Sequence, residues 1–274
     1  MPGSTSNIPR DLSDLLKAIA ADFPLMLSGN LAGIYLWGSL TYEAFDETCS
    51  DVDCVVVTRR DLDDGEFSSL DSWFREKGDV NRWVARLDMR FVIDGEFLDK
   101  SSRCCGFYHH QGVLVRHTSD GNPIIWLNVG QSGIVLYGAE ASVISPAVSA
   151  DCLNEALLLE LTYLKEDLVS NVGNRSAKAF AHNAYAVLTA CRILFSAHRR
   201  ALVSKDQACH WAMERVPREL RAIILAAHEN RAKNRGRTTV QLEQDAMCLV
   251  DFVSDEVNRV LARMRSASRG NSTG

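Results

Sequence analysis

The feature that most constrains this chain is a change of hydrophobic period near Ser149. Ahead of it, short apolar runs such as Gly33–Trp37 (GIYLW) and Asp51–Thr58 (DVDCVVVT) stand between turn residues, a strand pattern. Behind it the chain is rich in Ala and Leu repeating every 3.6 residues, with no strand-like run. Such a chain has to fold a unit of strands and helices first and an all-helical unit second. The predicted boundaries are 1–148 and 149–265, and the Ser/Gly/Asn-rich residues 266–274 predict a disordered tail.

Within the first unit, Pro9 opens a helix that carries Leu12, Leu15, Leu16 and Ile19 on one face and ends near Phe23-Pro24. Strands are expected at 33–37, 51–58, 83–93, 113–117 and 124–129, with a helix around Phe67–Phe74. Residues 130–138 read as a turn, and Cys104-Cys105 as a loop or strand end. The second unit predicts helices near 150–170, 176–199, 205–214, 217–230 and 239–265.

Composition narrows the class. The 274 residues are 46% hydrophobic and 24% charged, which suits a soluble globular protein. No run approaches the ~18 apolar residues of a spanning helix, and Met1–Arg10 lacks the shape of a signal peptide. A cytoplasmic protein without a membrane partner is expected. Its eight cysteines form no C-x-x-C pair and no zinc spacing, so they are expected to be reduced and mostly buried. The net charge of -5 is unevenly divided: residues 1–150 are acidic overall and residues 151–274 basic. That division suits a site with cations on one wall and phosphates on another, and solvated helix faces would give it too.

The chemistry concentrates in Gly38-Ser39, eleven intervening residues, and Asp51-Val52-Asp53. Gly38 lets the backbone come close to a ligand and its amides can hold a phosphate. Ser39 adds a hydroxyl. Asp51 and Asp53 leave the same face of a strand, roughly 7 Å apart. Two carboxylates so placed repel each other unless a cation lies between them, and magnesium takes carboxylates together with substrate phosphates. Two such ions would polarise both the attacking and the leaving oxygen of a phosphoryl transfer. Isolated, Asp-x-Asp is equally a solvent-facing strand edge. On the next strand Asp88 faces away from Leu87, Met89 and Phe91, where it can serve as a metal ligand or general base if the strands are neighbours.

This G-S-x11-D-x-D pattern with a following strand carboxylate resembles the nucleotidyltransferases of the DNA polymerase beta superfamily. Trp211–Pro217 (WAMERVP), Ser204-Lys205-Asp206, Leu188–Arg192 (LTACR) and Leu136-Tyr137-Gly138 resemble, more narrowly, the aminoglycoside (3'')(9) adenylyltransferases. The resemblance touches both units. It implies an α+β fold: a mixed-sheet nucleotidyltransferase domain followed by a helical bundle. It also implies a monomer that moves AMP from ATP to a hydroxyl of a streptomycin- or spectinomycin-like acceptor, with magnesium and release of pyrophosphate. Gly38 and Ser39 would hold the triphosphate with Arg192 and Lys205. Asp51 and Asp53 would bind magnesium, and Asp88 stands where the family has a catalytic glutamate. The acceptor positions depart from the family: Lys178 and His182 replace an acidic pair, and Tyr108 falls near the place of a stacking tryptophan.

Other groups read more simply. Trp211 and Met213 suit a helical core, Glu214 and Arg215 an ion pair, and His109-His110 a solvated loop. The basic run His228–Arg237 lacks interleaved aromatics, so no nucleic-acid partner is expected; a nucleotide role and a solvated loop both remain open for it. Two other functions share these motifs: a nucleotidyltransferase acting on a protein side chain or metabolite, and a silent nucleotide-binding module. All three carboxylates being present speaks against the second.

Overall fold

The helix opened by Pro9, α1 (Arg10–Leu27), buries Leu12, Leu15, Leu16, Ile19, Phe23 and Leu27 on one side. It runs past the expected end: Pro24 lies inside it, and the fully buried Leu27 holds the last turn. The computed structural model describes residues 8–108, 112–119, 121–172, 177–233 and 242–270. Side chains are described for all of these except 177–180, 230–233, 242–243 and 264–270. The chain divides into two units, Met1–Val148 and Ser149–Gly274.

In the first unit β1 (Leu31–Trp37) and β2 (Val52–Thr58) are followed by α2 (Asp64–Val80) and β3 (Leu87–Ile93). Then come β4 (Arg103–Tyr108), β5 (Val113–Thr118), α3 (Pro123–Ser132), β6 (Ile134–Gly138) and the single turn α4 (Ala141–Ile144). The strands form one sheet in the order β5-β4-β3-β2-β1-β6. Only β2 and β3 run parallel, joined by the crossover through α2; every other neighbouring pair is antiparallel. This is the mixed sheet of an α+β unit. α2 begins where it does because Asp63 and Glu66 form a reciprocal capping box.

Three local expectations are corrected. Residues 124–129 are helical, because Asn122 accepts a hydrogen bond from the Ile124 N–H and Pro123 presets the first turn. Residues 134–138 are a strand added to β1 at the sheet edge, ending at Gly138, whose φ of 97° and close approach to the Ala32 carbonyl exclude a side chain. Cys104 and Cys105 lie within β4, paired with β5.

The two sheet faces are covered differently. One packs Leu36, Cys54, Val56, Leu87, Met89, Phe91, Cys105 and Phe107 against α1 and α2. At its centre the Phe23 ring meets Trp73 at 5.0 Å, Phe74 at 6.1 Å and Phe91 at 6.1 Å. Phe23→Ala should therefore cost about 3–5 kcal/mol, measurable by denaturant unfolding. The other face packs Tyr35, Val55, Val57 and Val92 against Ile125, Trp126 and Val129 of α3.

The second unit holds α5 (Ala150–Ser170), α6 (Ala177–Arg199), α7 (Lys205–Met213), α8 (Arg218–Lys233) and α9 (Leu242–Gly270). α6 packs against the other four, and its buried Ala186, Ala190 and Ala197 let backbones approach closely. α9 runs to Gly270, into the segment expected to be disordered. Nothing between Arg263 and Arg269 stops a helix. Residues 271–274 lie outside the described residues. Of the eight free cysteines, Cys54, Cys104, Cys105, Cys191 and Cys209 are buried. Among the described residues no helix is long and apolar enough to cross a membrane.

Candidate active site

The parallel register pairs Asp53 of β2 with Asp88 of β3. Residues paired on neighbouring strands project to the same side, with the strands about 4.8 Å apart. That side is the α3 face, because Cys54, Leu87 and Met89 point into the α1/α2 core. The row continues in both directions: Asp53 pairs with Trp37 of β1, and Asp88 with Tyr108 of β4. Asp51 precedes β2 by one residue, two positions from Asp53. One sheet face thus carries Asp53, Asp88 and Tyr108 side by side, and all three are partly exposed.

The Gly38-Ser39 turn opens a 3-10 segment, Gly38–Tyr42, directly after β1. Gly38 has φ 73°, and a Cβ there would lie 2.1 Å from Asp53 Oδ2. Bare backbone at Gly38 is therefore what makes room for the Asp53 carboxylate. The Ser39 hydroxyl is buried and has no hydrogen-bond partner among the described residues. An unpaired buried hydroxyl is costly, and a ligand oxygen beside the turn would satisfy it. The Gly38 N–H, by contrast, is already taken: it donates to Asn128 Oδ1 at 2.6 Å. The amide expected to hold phosphate is thus committed within the protein, and Ser39 is the side-chain donor the turn offers.

Asn128 was missed from sequence because 124–129 reads as a strand. An Asn in an apolar run (IIWLNV) just after the helix-start signal Asn122-Pro123 was the clue.

Tyr108 leans back over Gly106 of its own strand, where an added Cβ would meet the ring at 2.5 Å. Its hydroxyl lies 2.8 Å from His117 Nε2, and Cys104 Sγ lies 3.1 Å from His117 Nδ1. The Arg90 guanidinium stands 5.9 Å from the ring centre. Tyr108 is thus tied to β5, its ring leaning from the Asp88 position toward that of Arg90. His109 and His110 lie outside the described residues.

The remaining predicted residues belong to the helical unit. Arg192 lies on α6, its Nε buried and without a hydrogen-bond partner among the described residues. Lys205 is the first residue of α7, behind the Ser204–Gln207 capping box, with its ammonium 4.5 Å from the Tyr185 ring centre. His182 Nδ1 lies 3.1 Å from Asp167 Oδ2 of α5. Lys178 is on α6, and its side chain lies outside the described part. Trp211 on α7 packs its ring 5.3 Å from Phe195 and under Arg215, which also pairs with Glu214 at 3.1 Å. Of the basic run, His228 pairs with Asp206 at 3.2 Å, and residues 234–237 lie outside the described residues.

The donor set suits a hard cation only in part. Among the described residues no three His, Cys, Asp or Glu side chains are placed to hold a metal ion, so Asp51, Asp53 and Asp88 do not form a ready three-ligand cage. Carboxylate oxygens beside a glycine cradle and an unsatisfied hydroxyl do fit magnesium, which needs one or two carboxylates and draws its other ligands from phosphates and water.

Comparison with known proteins shows what the chain resembles. Residues 146–264 match the family model described as aminoglycoside adenylyltransferase, C-terminal domain. A spectinomycin 9-adenylyltransferase from Campylobacter jejuni is 22% identical over 248 residues, which are 86% of this chain and 92% of that protein. The second unit thus resembles the C-terminal domain of the aminoglycoside adenylyltransferases. The proteins the chain resembles are adenylyltransferases, which are nucleotidyltransferase enzymes. Its fold is also that of a solved spectinomycin adenyltransferase from Enterococcus faecialis, determined with ATP and spectinomycin. That match has a TM-score of 0.63 and 17% identity, and covers 90% of this chain and 98% of the other. The WAMERVP segment of the family resemblance spans the end of α7 and the turn into α8.

Proposed function

We propose that this protein is an adenylyltransferase that moves AMP from ATP to a hydroxyl of a spectinomycin-type aminocyclitol. The observation that carries the reading is the pairing of Asp53 with Asp88 beside the Gly38-Ser39 turn. The names of the relatives, both spectinomycin enzymes, direct the choice of acceptor. In this reading the Ser39 hydroxyl donates to a phosphate oxygen of ATP, and Arg192 and Lys205 offset the remaining triphosphate charge. Asp51 and Asp53 would hold magnesium, which would supply charge neutralisation at the phosphates. Asp88 takes the proton of the acceptor hydroxyl. The acceptor oxygen bonds to the α-phosphorus as the bond to the β-phosphate oxygen breaks, and pyrophosphate leaves. Orienting the reactants and stabilising charge supply most of the rate.

Tyr108, whose backbone pairs with Asp88, and His182, beside Asp167, are the acceptor contacts of this reading. Streptomycin is the second acceptor to test, since Lys178 and His182 offer it no carboxylate of their own. The enzyme works in the cytoplasm as a single chain, where ATP is at hand, and needs neither nucleic acid nor membrane.

The test is incubation of the chain with ATP, magnesium and either spectinomycin or streptomycin, followed by mass spectrometry and a pyrophosphate assay. An AMP adduct of spectinomycin with matching pyrophosphate is expected. ATP binding without an adduct of any aminocyclitol would point to another acceptor. Absence of ATP binding would remove the reading altogether.

A further inference from the structure

The α3 face holds a closed polar ring that neither the reaction chemistry nor the family motifs assign. Asn128 is 1% exposed in an otherwise apolar stretch of α3. Its Oδ1 accepts the Gly38 N–H at 2.6 Å, and its Nδ2 donates to Ser132 Oγ at 2.8 Å and to Thr41 Oγ1 at 3.3 Å. The amide orientation is fixed by chemistry, because only the oxygen can receive a backbone N–H. Thr41 closes the ring by donating to the Gly38 carbonyl at 2.9 Å, and Ser132 Oγ bonds Thr41 Oγ1 at 3.1 Å. Both polar groups of Gly38 are thereby tied to one network that reaches from the 3-10 segment to α3.

The choice of residue needs a reason. A buried amide costs free energy unless every donor and acceptor finds a partner, and an apolar residue would pack into this core as well. Here Asn128 Oδ1 is matched to Gly38, whose φ of 73° opens space for Asp53, and Nδ2 reaches the same glycine through Thr41. A glycine in the left-handed region is free to relax to other conformations, so a turn built on it needs holding from outside.

We propose that Asn128, with Thr41 and Ser132, is a positioning clamp that holds Gly38 in its left-handed conformation and so presents the Ser39 hydroxyl and the Asp53 carboxylate to the triphosphate. The proposal rests on the adenylyltransferase reading, since the ligand that profits from the clamp is ATP. None of the three side chains needs to touch ATP. Loosening the ring weakens nucleotide binding and leaves acceptor binding alone.

The experiment compares wild type with Asn128→Leu, which keeps the branched shape and removes the hydrogen bonds of the amide, and Thr41→Val, which keeps the shape and removes one hydroxyl. Binding of ATP with magnesium is followed by calorimetry. KM for ATP, KM for spectinomycin, kcat and Tm are measured beside it. Asn128→Leu should weaken ATP binding by about tenfold or more, the scale of a buried donor left unpaired. Thr41→Val should weaken it by about threefold to tenfold, the scale of one net hydrogen bond. The rise should fall on KM for ATP, with KM for spectinomycin unchanged. A lowered Tm with unchanged ATP affinity in the folded protein would make Asn128 merely structural and overturn the clamp. If Asn128→Leu does not fold, Thr41→Val decides alone, and an unchanged ATP affinity overturns the proposal. Wild type that binds no ATP would overturn the adenylyltransferase reading together with the clamp. Wild type that binds ATP as tightly as both variants would overturn the clamp only.

Discussion

Asp53→Asn should lower AMP transfer by about a thousandfold or more, the scale of losing one preorganised charge at a reacting centre, while the protein stays folded. The substitution keeps shape and removes one negative charge. Its position makes the loss specific. Asp53 Oδ2 is the atom nearest to where a Gly38 side chain would be, and Asp53 is register partner to Asp88. No other acid of β2 could take over, because the residues that follow are Cys54 and a run of valines. The melting temperature should hold or rise slightly. Like charges directly opposite on paired strands are destabilising, and the amide relieves that repulsion. Pyrophosphate release with ATP and spectinomycin, set beside a thermal melt, measures both. Near-normal turnover in the variant would remove Asp53 from the chemistry, and loss of the fold would make it a structural residue.

Gly38→Ala carries the second-largest effect, through two independent costs. At φ 73° a side chain pays about 1–2 kcal/mol for the left-handed backbone. The added Cβ also falls 2.1 Å from Asp53 Oδ2, so the carboxylate must swing away or the turn must move. Displacement of a catalytic group by about 1 Å can cost 10²-fold, and a loss of at least that size is expected in kcat/KM. Unlike Asp53→Asn, this variant should also melt several degrees lower. The pair of variants separates charge from geometry: one loses activity at unchanged stability, the other loses both. A Gly38→Ala protein with full activity would show that the turn tolerates a side chain and that Asp53 does not work from its observed position.

Much of this was legible in the sequence, because period and spacing report on faces. The alternation of Leu87, Met89 and Phe91 against Asp88 and Arg90 put Asp88 on the face away from the core, and the α1/α2 packing places it there. Adjacency of β2 and β3 was not legible. It comes from the α2 crossover, which makes them the one parallel pair of the sheet. The segment 122–138 was misread for a different reason. A short apolar run such as IIWLNV carries no period long enough to separate helix from strand, and the deciding signal was the capping pair Asn122-Pro123. That misreading hid Asn128, whose importance depends on a partner ninety positions away in the chain. Arg192 and Lys205 gave no local signal beyond their charge; only the resemblance of the surrounding segments singled them out.

The parallel pairing of β2 with β3 has one more consequence. Asp53 meets its partner acid only after the whole of α2 has been made and has crossed the sheet, so a chain still on the ribosome lacks the proposed reaction centre until β3 has emerged and docked. Should β3 dock one residue out of step, Asp88 would turn into the oily side beneath α1 and α2, and a folded protein would be born inert.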